Sequence, residues 1–174
     1  MQTERCWGRD SLYACLQRSK IEAVAMPNDN TPSQLHATAV AIDGRGILLL
    51  GPSGAGKSDL ALRLIDRGAK LIADDRVDLA RRDDGVTMSA PARIAGLLEV
   101  RGLGIVEFPS VEAALTLAIE LVPGEDVERL PDPDAELFCG LAVPLLRLNP
   151  FELSATIKVE LALNRLHVGT ALTL

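Results

Sequence analysis

The chain has 174 residues, 48% of them apolar and 24% charged, with 18 basic against 24 acidic side chains and a formal net charge of −6. That length suits one domain, and the apolar content excludes a chain disordered by composition. The acidic balance, with only three Phe, one Trp and one Tyr, excludes the charge and stacking surface of a general nucleic-acid binder.

No apolar run approaches the roughly 18 residues of a membrane span. Residues 1–10 are polar and lack the apolar centre of a signal peptide. Cys6, Cys15 and Cys139 form neither a CxxC pair nor an even set, which argues against a disulfide framework or a zinc site. These features predict a cytoplasmic protein with no membrane segment. Residues 1–33 contain Trp7, Tyr13, Cys6 and Cys15 and close on a run rich in Pro and Asn. They are expected to be a flexible N-terminal extension, with 34–174 as the domain. A short docked helix over 10–25, or a true start at Met26, are the alternatives.

Residues 36–42 and 47–51 are apolar around the turn Asp43-Gly44-Arg45-Gly46, the pattern of a β-hairpin. A glycine-rich loop over 51–58 leads into a short helix over 59–67, which Gly68 is suited to end. Leu71-Ile72-Ala73 reads as a buried strand closed by Asp74-Asp75. Residues 77–80 and 86–89 flank Arg82-Asp83-Asp84-Gly85 as a second hairpin. The apolar stretch 94–106 is broken by Gly96, Gly102 and Gly104, so strand and loop are expected there. Residues 115–121 alternate as a strand does. The acidic, proline-containing stretch 123–140 reads as loop, 141–148 as strand and 152–166 as a closing helix.

Gly51-Pro52-Ser53-Gly54-Ala55-Gly56-Lys57-Ser58 fits G-x-x-x-x-G-K-S/T at every fixed position. Glycines let the backbone curl so that successive N–H groups face phosphate oxygens, and the next helix adds its positive end. Lys57 would reach the outer phosphates and the Ser58 hydroxyl would ligate Mg²⁺, a hard cation that prefers oxygen. Such a loop indicates a nucleoside triphosphate and no more.

Asp74 and Asp75 follow Lys57 by 17 and 18 residues, room for one helix and one return strand. A βαβ crossover brings them to the same edge as the loop. Adjacent side chains on an extended backbone diverge, so one carboxylate can face the phosphates while the other acts elsewhere. The alternative is that the pair simply ends a strand. Glu99, in Glu99-Val-Arg-Gly-Leu-Gly104, is either a metal-binding carboxylate or half of a surface ion pair. Taken alone, His36 is better explained as a surface or satisfied core residue, and Arg129 as a solvated charge, than as functional groups.

Together these segments resemble bacterial HPr kinase/phosphorylase. The similarity rests on His36, the loop with Asp59 after it, Ala73-Asp74-Asp75, and Leu98-Glu-Val-Arg-Gly-Leu-Gly-Ile-Val-Glu107, which is similar to the family segment E-I/V-R-G-L/V-G-I. It covers residues 35–130 well and 131–174 weakly, and looks like the short form with the catalytic domain alone. The resemblance implies an α/β P-loop fold like that of phosphoenolpyruvate carboxykinase, a mixed sheet with flanking helices. It implies ATP and Mg²⁺ as cofactors and a serine of HPr, the small phosphocarrier of the sugar phosphotransferase system, as substrate. A reverse, phosphate-dependent reaction and a homo-oligomer, often a hexamer, are implied as well.

Carried over by motif, Lys57 binds phosphate, and Ser58 and Glu99 ligate Mg²⁺. His36 is an active-site residue near that carboxylate, and Arg129 is the arginine beyond the signature. Asp75 is the general base toward the HPr serine and the general acid in reverse. One stretch departs: Val143-Pro144-Leu145-Leu146-Arg147 lacks the Pro-Gly pair and one arginine of the family's Pro-x-Arg-Pro-Gly-Arg, so kinase activity is the safer expectation. Two other readings compete. A small-molecule kinase would want an arginine-bearing lid, and none is evident. A regulatory nucleotide-binding module would need no base such as Asp75.

Overall fold

The computed structural model describes residues 33–83 and 85–168. The expected extension over 1–33, and any helix over 10–25, therefore lie outside the described residues except for Ser33. Among the described residues there are eleven strands: β1 (Ser33–Leu35), β2 (Thr38–Ile42), β3 (Arg45–Leu50), β4 (Lys70–Ala73), β5 (Val77–Arg82), β6 (Gly85–Ser89), β7 (Leu97–Val100), β8 (Gly104–Glu107), β9 (Ala113–Leu121), β10 (Asp134–Phe138) and β11 (Leu141–Leu148). Among the described residues the helices are α1 (Lys57–Asp66) and α2 (Ala155–Val168).

Nine strands form one mixed sheet in the order β1-β5-β6-β9-β3-β2-β4, with β11 on β9 and β10 on β11. The nine-residue strand β9 organises it. On one side β9 runs parallel to β3 along its length. On the other, its first residues pair antiparallel with β6 and its last residues pair parallel with β11. The β7–β8 hairpin forms a separate two-stranded sheet. This is the mixed α/β class that the sequence predicts.

Two packed layers fix the sheet. Ile47, Leu49, Leu60, Leu64, Val159 and Leu163 bury the face that carries α1 and α2. Leu48, Ile72, Val77, Leu79 and Met88 fill the opposite face, where β5 and β6 close over the sheet. Alternate residues of β3 thus enter different cores, as a period of two requires. Gly46 marks the tightest crossing. A Cβ there would lie 2.4 Å from Met88 Cε and 2.6 Å from the Ala114 carbonyl oxygen. Backbone cannot retreat as a side chain can, so Gly46→Ala is expected to cost about 1–3 kcal/mol in urea unfolding. Unchanged stability would show that β3 and β9 can part at no cost.

The β2–β3 turn is Asp43-Gly44, with φ of 50° and 76°, a pair of left-handed residues suited to a two-residue hairpin. Three expectations need correction. First, α1 begins at Lys57, two residues before the predicted start, because the loop itself supplies the first helical turn. Second, α2 begins at Ala155 rather than at 152. Third, the segment 123–140 is not all loop: it contains a 3₁₀ turn, Gly124–Asp126, and strand β10. Among the described residues strand β10 pairs with β11 alone, and it keeps much of its surface in water, so an acidic composition suits it. Among the described residues, no helix is long and apolar enough to cross a membrane.

Candidate functional site

Topology places the loop and the acidic pair together. Strand β2 pairs antiparallel with both β3 and β4, so β3 and β4 run the same way with β2 between them. Their carboxyl ends share one edge. The loop leaves the end of β3, and Asp74-Asp75 leave the end of β4. Gly51, Gly54 and Gly56 adopt φ of 141°, 83° and 92°, conformations that side chains resist. Ala55 donates its N–H to the Pro52 carbonyl at 3.1 Å, closing the turn. Gly56 is the N-cap of α1 and provides no side-chain bond to the helix's first N–H groups.

Lys57 is 7% exposed. Its Nζ donates to the carbonyl oxygens of Gly51 at 2.8 Å and Pro52 at 3.0 Å, folding back across the loop. Burial pushes its pKa below the usual lysine value, and the negative charges of Asp74 and Asp75 pull it partly back.

Asp74 is also buried, and it is the junction of the site. Its Oδ1 accepts from Thr38 Oγ at 2.7 Å and from Ser58 Oγ at 2.9 Å. Its Oδ2 accepts from the Glu99 N–H at 3.3 Å. One carboxylate therefore ties together β2, α1 and β7. Asp75 faces water instead, with its side chain 65% exposed. Its Oδ1 meets His36 Nε2 at 3.0 Å, and Arg76 Nε lies 3.8 Å from its Oδ2. The two acids do diverge, but not by strand alternation. Asp75 has φ of 66°, and Arg76 N–H bonds back to the Asp74 carbonyl at 2.8 Å, so a tight turn separates them.

The structure thus brings together His36, Lys57, Ser58 and Asp75, with Glu99 joined through its backbone. The Glu99 side chain is exposed, while Leu98 beside it is fully buried and anchors β7. Arg129 is exposed beyond the 3₁₀ turn and makes no ion pair among the described residues. The sequence did not single out Thr38 or the contact of Asp74 with Ser58. The available signal was the position of Asp74, immediately after a buried strand and before the more turn-like Asp75.

A second group of charges lies beside Gly51. Arg147 bonds Glu120 Oε2 and Asp134 Oδ2, each at 3.0 Å. These residues, with Leu50 and Leu145, line an open cleft of about 500 Å³. The hydrogen bond to Asp134, reinforced by the charge of Glu120, holds the Arg147 pKa above its usual value.

Among the described residues, no three His, Cys, Asp or Glu side chains form a metal cluster. A magnesium ion asks for less: one or two protein oxygens, with phosphates and waters completing its shell. The Ser58 hydroxyl, the Asp74 carboxylate and the nearby Glu99 offer hard oxygen donors of that sparse kind, so the residues fit.

The fold and site define a mixed α/β domain built on a strand, a glycine loop and a helix, with a carboxylate on the loop's serine. A family model described as HPr Serine kinase C-terminal domain matches residues 30–122, just over half of the chain. The chain belongs to that family. It is 36% identical over 129 residues to HPr kinase/phosphorylase of Streptococcus thermophilus, covering 67% of this chain and 42% of the relative. It is 48% identical over 79 residues to the protein of that name from Clostridium tetani, covering 45% and 26% of the two chains. The chain thus spans less than half the length of these curated relatives. A solved structure, that of the Hpr(Ser) kinase/phosphatase from Coxiella burnetii, superposes with a TM-score of 0.70 at 30% identity. The match covers 79% of this chain and 99% of that one.

Proposed function

We propose that this domain catalyses ATP- and Mg²⁺-dependent phosphorylation of a serine on the phosphocarrier HPr. The observation that carries the reading is the common edge at which the glycine loop, the Ser58–Asp74 pair and the His36–Asp75 pair meet. Phosphoryl transfer is mostly positioning and charge neutralisation, and each group has a part in that. The loop N–H groups and Lys57 bind the phosphate chain, with Lys57 exchanging its bonds to Gly51 and Pro52 for phosphate oxygens. Ser58, oriented by Asp74, and Glu99 would hold Mg²⁺, which neutralises charge on the phosphates when bound.

Asp75 takes the serine proton. It is exposed, so a protein substrate can reach it, and His36 holds its carboxylate in place. Asp74 is unsuited to that task because two hydroxyls and an N–H already occupy it. The phosphate-dependent reverse reaction, with Asp75 as acid, is the less supported direction, since the Pro-Gly pair near Arg147 is missing.

The test uses the protein with Mg²⁺, γ-labelled ATP and HPr, with a Ser→Ala HPr as control. Label on normal HPr alone is expected. ATP binding without labelled HPr would overturn the substrate and leave a small-molecule kinase as the reading.

A further inference from the structure

Of the three phenylalanines, Phe138 is buried and Phe108 half-buried, whereas Phe151 is 69% exposed. An apolar ring in water is commonplace by itself; its neighbours give this one meaning. A Cβ built on Gly56 would lie 3.2 Å from Pro150 Cγ and 3.2 Å from Phe151 Cζ. The segment before α2 therefore rests on the last glycine of the loop, next to Lys57. Its backbone is tied there. Arg63, on α1, pairs with Asp59 at 3.0 Å and donates to the Pro150 carbonyl. The Phe151 N–H donates to Asn149 Oδ1 at 3.1 Å. Arg67 of α1 also clasps Glu160 of α2 at 2.6 and 2.8 Å. A rigid frame thus presents one open aromatic face beside the phosphate loop.

We propose that Phe151 is the stacking platform for the nucleobase of the triphosphate whose phosphates enter the glycine loop. This deepens the nucleotide reading above and rests on it. Base and phosphates are joined through one ribose, so a base must come to rest within a short reach of the loop. The scarcity of aromatics argued against a nucleic-acid surface, which needs several rings; a mononucleotide needs one. Every base has a π-face, so the ring supplies affinity and does not choose between adenine and guanine. Leu153, Ile157 and Leu161 continue as an exposed stripe at four-residue spacing, which makes a protein interface the competing use of this surface.

The experiment compares ATP with inorganic tripolyphosphate, which keeps the phosphates and lacks the nucleoside, by titration calorimetry on the full chain. Phe151→Ala is expected to weaken ATP about thirtyfold, the middle of the range for loss of one base–aromatic stack. Tripolyphosphate should bind the variant as it binds the wild type, and Phe151→Trp should restore ATP. Unchanged ATP affinity in Phe151→Ala overturns the proposal. So does an equal loss of both ligands, which would make the ring a support for the loop. Altered sedimentation with intact ATP affinity assigns the ring to a protein interface and overturns it as well. A wild-type chain that binds neither ligand brings down the phosphate-loop reading itself, and this proposal with it.

Discussion

Asp75→Asn is expected to keep ATP affinity near the wild-type value while lowering phosphoryl transfer to HPr by roughly 10²–10⁴-fold. The substitution suits the backbone. Asp75 sits at φ of 66°, a left-handed conformation that asparagine tolerates and alanine resists. The amide is nearly isosteric and can still meet His36 Nε2, now 3.0 Å from the carboxylate. The change therefore removes a proton acceptor with little effect on shape. Single-turnover labelling, with ATP binding measured separately, distinguishes the two effects. A variant that transfers at the wild-type rate would show that the base is another group.

Lys57→Ala should act earlier in the cycle, on binding. A charged hydrogen bond contributes about 1.5–3 kcal/mol, so losing one should weaken ATP and tripolyphosphate alike by at least about tenfold. Transfer falls with it. Because Nζ also bridges Gly51 and Pro52, the variant's thermal stability should be recorded alongside. Equal affinity of wild type and variant for both ligands would remove the loop from the binding site. Loss of tripolyphosphate affinity here, set against its retention in Phe151→Ala, separates the loop from the ring.

Much of this arrangement is legible in the residues. Apolar runs around Gly-containing turns define β2, β3, β5 and β6, alternation defines much of β9, and the loop motif announces α1 without fixing its start at Lys57. The edge shared by Asp74-Asp75 and the loop follows from chain length and topology alone. The different tasks of the two acids do not. Asp74 takes its neighbours from β2 and β7, and neither Thr38 nor the Glu99 N–H is visible as a partner from local pattern. Strand β10 was hidden for a related reason: an edge strand needs little apolar surface, and Pro131 and Pro133 just before it signal loop. Its turn, Cys139-Gly140 with φ of 47° and 75°, repeats the geometry of Asp43-Gly44 without the Asp-Gly or Asn-Gly pair that usually announces it. The contact of Phe151 with Gly56 joins residues almost a hundred positions apart, beyond any local pattern.

The position of β9 has a consequence during synthesis. Every residue of the loop and carboxylate cluster, from His36 to Glu99, leaves the ribosome before β9 does. Until β9 emerges, from residue 113 onward, β3 has a partner on one side only and Gly46 has no Ala114 carbonyl to lie against. At about 5–20 residues per second, that leaves a nascent chain for some seconds with its loop sequence complete and its central strand paired on one side only. The residues that meet phosphate are among the early ones made, and the scaffold that holds them in place arrives only afterwards.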